Sequence, residues 1–154
     1  MTSLSYQNFN SRFFSKVQAY DILDLTEIQL TGFMTNWLHS AFSKPYIRRL
    51  FSSLILNDEI QEVQFEMKYV VDADSDTDFI YELISIGMIV EWLEPKINSI
   101  LNINQMYGSK EEKFYAQANH LSQLQALKDS LYQSQRRMIA DRGYAWNTYI
   151  DGEA

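Results

Sequence analysis

The first feature of the sequence that suggests chemistry is a run of four aspartates at alternate positions: Asp72, Asp74, Asp76 and Asp78. Carboxylates at such spacing occur in calcium loops, but an EF-hand loop also needs glycine at its sixth position and glutamate at its twelfth. Counted from the first aspartate, those positions hold Thr77 and Leu83. The sequence therefore predicts an acidic turn in front of a helix, capped by Asp76 or Thr77, and no calcium site.

Other arrangements that support catalysis or metal binding are equally incomplete. His39 and His120 have no ligand-type partner three or four residues further on. Glu91 and Glu94 share one face of a helix, as paired carboxylates do, although an exposed corner before Pro95 is the favoured interpretation. There is no cysteine and no serine-nucleophile, phosphate-loop or zinc-protease motif. We therefore expect a protein that is not an enzyme and needs no cofactor or metal.

Basic residues form two compact groups, one in the first third of the chain and one near its end: Lys44, Arg48 and Arg49, then Arg136, Arg137 and Arg142. Either group suits phosphate, because arginine and lysine neutralise the nucleic-acid backbone. The acidity of the rest of the chain favours another use. We expect these residues to form salt bridges with other subunits, with nucleic-acid contact as a minor alternative.

The net charge of −7 is unevenly distributed along the sequence. Residues 57–94 contain eleven acidic residues and a single base, Lys68. An acidic pole of this kind repels nucleic acid and favours a basic partner or a head-to-tail contact between copies. A solvated acidic face without a partner is the plainer alternative.

The elements that must position these charges are predicted to be mostly helices. Five glycines and two prolines leave little room for tight turns. Apolar spacing predicts helices over residues 6–17, from a cap at Thr26, over the nearly all-apolar stretch 80–93, and over 109–142 after a capping box at Ser109. Pro95 is expected to break or kink the third helix. The expected fold is mainly α, a bundle of about four helices with a long C-terminal helix.

One stretch, residues 60–71, has a different period. Val63, Phe65, Met67 and Tyr69 alternate with polar residues, which is the pattern of a half-buried strand. An isolated strand is unstable. We therefore expect either a partner strand, for example from another copy of the chain, or an extended loop that lies across a neighbouring subunit.

The predicted domain organisation is one helical domain, residues 1–142, followed by a tail, residues 143–154. The tail carries Tyr144, Trp146 and Tyr149, which suit an anchor that becomes ordered on a partner. No apolar run approaches the length needed to cross a bilayer, and the N-terminus lacks the blocks of a signal peptide. We expect synthesis in the cytoplasm and no membrane contact.

Four stretches of the sequence resemble small structural proteins of the head and neck of tailed phages. They read NWLHSAFSKPYIRRLFSSL, DEIQEVQFEMKY, GMIVEWLEPKINSILNINQMYGSKEEKFYAQANHLSQL and RRMIADRGY. The similarity covers roughly residues 37–144. The order of helices, an extended element, a long helix and a tail resembles that of the head-tail connector, or adaptor, proteins. The resemblance lies in these short stretches of sequence and in the order of the elements, and no motif assigns individual binding residues.

The resemblance implies a virion protein of the neck, made in the host cytoplasm. It implies a ring, usually of twelve copies, between the portal protein and the stopper or tail-tube protein. DNA would pass through the ring without specific binding, and an acidic pole facing the lumen would keep DNA from adhering. The alternatives are another neck or tail-completion protein of the virion, or a small helical regulator that binds a host protein.

Overall fold

A computed structural model describes the backbone of residues 1–17, 25–106 and 111–144, and the side chains of residues 1–17, 25–99 and 119–143. The elements in these ranges follow one another as β1 (Thr2–Ser5), α1 (Tyr6–Lys16), α2 (Glu27–Ser43), α3 (Pro45–Arg48), β2 (Phe51–Asn57), β3 (Glu62–Met67), α4 (Ala73–Met106) and α5 (Glu111–Tyr144). The chain is mainly helical, as its composition predicts. A three-stranded sheet takes the place of the single extended element that was expected.

The helices α2 and α3 begin as their first residues predict. Thr26 caps α2 by accepting the backbone N–H of Gln29, and the Gln29 side chain accepts the N–H of Thr26. Pro45 is the first residue of α3, where its missing N–H costs nothing. The cap expected for the third helix is wrong. Helix α4 begins at Ala73, and Asp72 caps it by accepting the N–H of Ser75 at 2.8 Å.

Helix α4 also continues through Pro95 to Met106, so the expected break is absent. Proline removes one backbone hydrogen bond, but packing along the whole length of a helix offsets such a loss. Here α5 packs along α4, and Lys128 reaches Glu94, the residue before the proline, at 3.2 Å. The predicted cap of α5, Ser109, lies outside the described residues.

The sheet has the order β1-β3-β2, and both pairs are antiparallel. Strand β3 lies within the alternating stretch of the sequence. The expected pairing is confirmed, with both partner strands supplied by the same chain and not by another copy, and the alternative of an extended loop is wrong. Leu4 of β1 and Leu56 of β2 both lie opposite Val63. Strand β1 has only four residues and is largely polar, so its own sequence gives little indication of a strand.

The core lies between the inner face of this sheet and the helices α1, α2 and α4. The Phe9 ring meets Phe42 edge-on at 5.7 Å and Tyr81 at 4.8 Å, which joins the three helices. The central part of α4 is buried, as its apolar sequence predicts. Gly87 lies where α2 and α5 approach α4 most closely, because a Cβ there would stand 3.0 Å from Ala41 Cβ and 3.0 Å from Gln135 Nε2.

Candidate functional site

The run of aspartates does not form one acidic surface. Asp76 is buried, and its carboxylate lies 2.5 Å from Arg142 Nη2 and accepts the backbone N–H of Val71. The same guanidinium donates to the Tyr69 carbonyl at 2.9 Å and lies 4.7 Å from the centre of the Phe79 ring. Asp76 therefore fastens the segment between β3 and α4 to the end of α5.

The other three aspartates of the run are exposed and differ in their partners. Asp72 caps α4, and Asp78 lies 3.1 Å from the guanidinium of Arg12. Within the described ranges no base lies at ion-pair distance from Asp74. Of this run, only Asp72 and Asp74, at the start of α4, are thus exposed without a basic partner in the described ranges.

Further carboxylates of the acidic segment are matched by bases from other elements. Glu82 lies 2.5 Å from Arg12 and 2.6 Å from Lys16, both on α1. Partial burial raises the pKa of Glu82, but the hydrogen bonds from these two bases outweigh it and leave that pKa below its usual value. Lys44 of α2's C-terminal cap lies 3.0 Å from Glu91.

His39, which has no partner close in sequence, meets one through the fold. Its Nε2 atom lies 2.7 Å from Asp58, and the same carboxylate accepts the hydroxyl of the buried Tyr6 at 2.5 Å. The hydrogen bonds of Tyr6 and then of His39 lower the pKa of Asp58. Burial, together with Asp58, raises the pKa of Tyr6. This cluster fixes the turn between β2 and β3 against α1 and α2.

Across the residues with described side chains, no three histidine or acidic residues are placed to hold a metal ion. The surface that does bring predicted site residues together is a cleft of about 330 Å³. It is lined by Tyr46, Arg49, Arg136, Ile139 and Ala140, and we call it the arginine cleft. The two basic groups of the sequence converge here, because α3 carries one close to the outer face of α5, which carries the other.

The floor of the arginine cleft is held by a short hydrogen-bond network. The Tyr46 hydroxyl donates to Gln135 Oε1 at 2.8 Å, and Gln135 Nε2 donates to the Leu83 carbonyl at 2.9 Å. Gln135 is only 1% exposed, so this network is shielded from water. Burial, and then the neighbouring Tyr132, raises the pKa of Tyr46, so its hydroxyl stays protonated and donates. Sequence analysis missed Gln135, which looks like one more polar residue of a helix surface.

Four of the predicted basic residues keep their charge free. Arg48, Arg49, Arg136 and Arg137 are exposed, and no carboxylate in the described part of the chain lies at ion-pair distance from any of them. We call these four residues the arginine cluster, of which Arg49 and Arg136 line the arginine cleft. Lys44 and Arg142, which belonged to the same groups in the sequence, are instead paired with Glu91 and Asp76.

Exposed guanidinium groups that are not paired with a carboxylate of the described chain are suited to anions that accept two parallel hydrogen bonds. Carboxylates and phosphates both have that geometry. Ile139 and Ala140 give the arginine cleft an apolar wall beside its two arginines. The arrangement therefore suits an anionic group that is carried next to apolar surface, as an acidic side chain in a protein segment is.

The predicted aromatic anchor is only partly within the described structure. Tyr144 ends α5, its side chain is not described, and Trp146 and Tyr149 lie outside the described residues. A second aromatic surface is visible on α2, where Phe33 stacks on Trp37 with 6.1 Å between ring centres. Phe33 is 46% exposed, so this ring stack reaches the solvent side of α2.

None of the helices in the described ranges has the length and apolar character to span a membrane. Comparison of the chain with models of protein families, with characterised proteins and with solved structures finds no match.

Proposed function

We propose that this chain is an assembly protein whose arginine cluster binds a carboxylate-bearing surface of another protein subunit. The observation that carries the proposal is the open charge of Arg48, Arg49, Arg136 and Arg137 in a chain whose net charge is −7. Five bases with described side chains lie at ion-pair distance from a carboxylate: Arg12, Lys16, Lys44, Lys128 and Arg142. The four arginines have no such carboxylate in the described ranges, so their charge remains available to a binding partner. Arg49 and Arg136 line the same cleft, so their like charges repel each other, and an incoming anion removes that repulsion.

A protein carboxylate is favoured over a nucleic-acid phosphate by the charge of the rest of the molecule. The net charge of −7 repels a polyanion at a distance. An acidic protein segment brings fewer charges, and they are local. A cleft that combines two arginines with Ile139 and Ala140 also suits the mixed polar and apolar character of a protein interface.

In its more specific form, the proposal is that the chain is a head-tail adaptor of a tailed phage. Copies would form a ring between the portal and the stopper or tail, in the neck of the virion, and would extend the channel for DNA. A ring needs two different surfaces that complement each other, because each copy contacts the next head to tail. The arginine cluster supplies one, and the exposed carboxylates Asp72 and Asp74 supply a surface of opposite charge.

Charge reversal tests the assembly proposal. We expect the double variant Arg49→Glu, Arg136→Glu to lose ring formation on the portal complex, as counted by electron microscopy or mass photometry. Lys68→Glu is the matched control, because Lys68 is an exposed base with no acidic partner in the described ranges and lies away from the cleft. Circular dichroism must show unchanged helix content in both variants.

The composition of purified particles tests the more specific form. A neck adaptor is present in the virion at a fixed number of copies, whereas a regulator of a host protein is absent from it. Absence from intact particles would disprove the adaptor. If the double variant assembles as well as Lys68→Glu does, the arginine cluster is not the binding surface.

A further inference from the structure

Strand β2 forms one edge of the sheet. Within the described part of the chain, β3 is its only paired neighbour. A strand edge presents alternate backbone N–H and C=O groups with no partner, which is a template for pairing with another chain. The edge is therefore a candidate interaction surface of its own, separate from the arginine cluster.

Proteins usually protect such edges with charged residues, proline or a very short strand. Strand β2 has seven residues, FSSLILN, and contains neither a charge nor a proline. The opposite edge of the sheet is different. Strand β1 has only four residues, and the amino group of Met1 next to it lies 3.6 Å from Glu66. Only β2 combines length, lack of charge and high strand propensity at an open edge.

The side chains of β2 are apolar on both faces of the sheet. Leu54 and Leu56 lie opposite Phe65 and Val63 on the core side, yet they are only partly buried. Ile55 points to the other face, opposite Gln64, and is 49% exposed. A strand added at this edge would remove apolar surface from water on both faces.

We propose that β2 pairs with β2 of a second copy of this chain, antiparallel and about a two-fold axis at Ile55. This register places Ile55 opposite its own copy, Leu54 opposite Leu56, and Ser53 opposite Asn57. Side chains directly opposite each other on antiparallel strands are in contact, so Leu54, Ile55 and Leu56 each meet an apolar residue. The two sheets then join into a single sheet of six strands.

The sequence of β2 favours a second copy of the same strand as its pairing partner. Residues 53–57 are self-complementary in this register, with small or polar residues at the ends and branched apolar residues in the centre. The strand carries no charge, so two copies meet without local repulsion although each molecule has a net charge of −7. The pairing is a two-fold contact of the free protein, and it does not depend on the ring or on the arginine cluster.

Salt separates this contact from the one proposed for the arginine cluster. Added salt screens the repulsion between two acidic molecules and therefore strengthens association through an uncharged strand. It weakens association through arginines and carboxylates for the same reason. A contact that tightens with salt is thus assigned to β2, and one that loosens with salt to the arginine cluster.

Sedimentation equilibrium over a hundredfold range of concentration tests the pairing. We expect the mean mass to rise from one chain toward two, and Ile55→Lys to weaken dimerisation at least tenfold, because two lysines would face each other across the axis. Ile60→Lys is the matched control, since Ile60 is 54% exposed in the turn that follows β2. It should dimerise as the wild type does.

Amide hydrogen exchange gives a second measurement that needs no variant. Alternate amides of β2 should become protected as the concentration rises, while those of β3, already paired on both sides, should not change. A wild type that stays at the mass of one chain throughout would overturn the proposal. So would equal dimerisation of the two lysine variants, or protection of β2 that is independent of concentration.

Discussion

The acidic segment, residues 57–94, and the arginine cluster are both groups of like charge in the sequence, but the fold treats them in opposite ways. Carboxylates of the acidic segment are matched by bases from α1, α2 and α5, whereas the four arginines stay open to solvent. Much of the negative charge of the segment is therefore paired within the chain, although the exposed Glu59, Asp72 and Asp74 have no basic partner in the described ranges. The surface with free charge comes from two short groups that are far apart in sequence.

The position of each region in the fold explains the difference. Most of the acidic segment belongs to α4, which α1, α2 and α5 contact from several sides, so its carboxylates meet bases from each of them. Helix α3 has four residues and lies at the surface, and on α5 Gln135 faces α4 whereas the next residue, Arg136, is exposed. A run of charge in sequence thus predicts a charged surface only where the element that carries it is not central.

The largest effect that we expect comes from breaking the buried pair of Asp76 and Arg142. Arg142→Met keeps an apolar side chain of similar length beside Phe79 but leaves a buried carboxylate without its partner, and it should lower the free energy of unfolding by about 3 kcal/mol. Urea denaturation measures this. The double variant Asp76→Leu, Arg142→Met should lose less than the single variant, and a loss under about 1 kcal/mol for Arg142→Met would show that the pair is not buried in solution.

A pair of glycine variants tests the close packing behind the arginine cleft. Gly87→Ala gains helix propensity worth up to about 1 kcal/mol, but its Cβ meets Ala41 and Gln135 at 3.0 Å. Crowding of that kind costs about 1–3 kcal/mol, so we expect a net loss in the unfolding free energy. Gly32→Ala is the matched control, because nothing lies within 4 Å of its Cβ, and it should be stabilising. If both variants gain stability, the three helices are packed less tightly than described.

Acid titration tests whether the carboxylates of the acidic segment are paired in solution. The pKa values of Asp58 and Glu82 are lower in the folded chain than their ordinary values of 3.8 and 4.5. A carboxyl of this kind contributes stability that is present above its unfolded pKa and is lost as the pH falls through its folded pKa. The melting temperature should therefore fall as the solution is acidified below pH 4.5.

Neutral variants assign that loss to individual pairs. Asp58→Asn and Glu82→Gln should each flatten the pH profile, by under about 1 kcal/mol because these pairs are partly exposed. Asp74→Asn serves as the control, since Asp74 has no basic partner in the described ranges, and it should leave the profile unchanged. A Glu82→Gln profile identical to that of the wild type would contradict the pairing with Arg12 and Lys16.

The smallest effect is expected from the arginine cluster itself. Arg49→Ala and Arg136→Ala should change the unfolding free energy by no more than about 0.5 kcal/mol, because neither side chain has a partner to lose. Lys44→Ala, which removes the partner of the largely buried Glu91, should cost about 1 kcal/mol. Thermal denaturation of the three variants measures the contrast. A clear loss for either arginine variant would mean that these residues hold the fold together.

The local features of the fold followed from short stretches of sequence. The cap at Thr26, proline at the start of α3, the alternation in β3 and the buried centre of α4 all depend on residues within one or two turns of each other. The start of α4 was misplaced because several aspartates of one run are able to cap a helix. The sequence does not show that the Asp76 carboxylate is bound to Arg142 and therefore does not cap α4. The partner strands of β3 were missed because neither TSLS in β1 nor FSSLILN in β2 alternates apolar with polar residues.

The sequence by itself determined that this chain is acidic and mainly helical, and it identified the basic residues that remain candidates for binding. Only the tertiary structure decided which charges are cancelled and which are free. Arg142 and Asp76 are 66 positions apart and Tyr46 and Gln135 are 89 apart, so no local pattern relates them. Helix formation depends on neighbours along the chain, whereas the exposure of a charge depends on what the folded chain brings beside it.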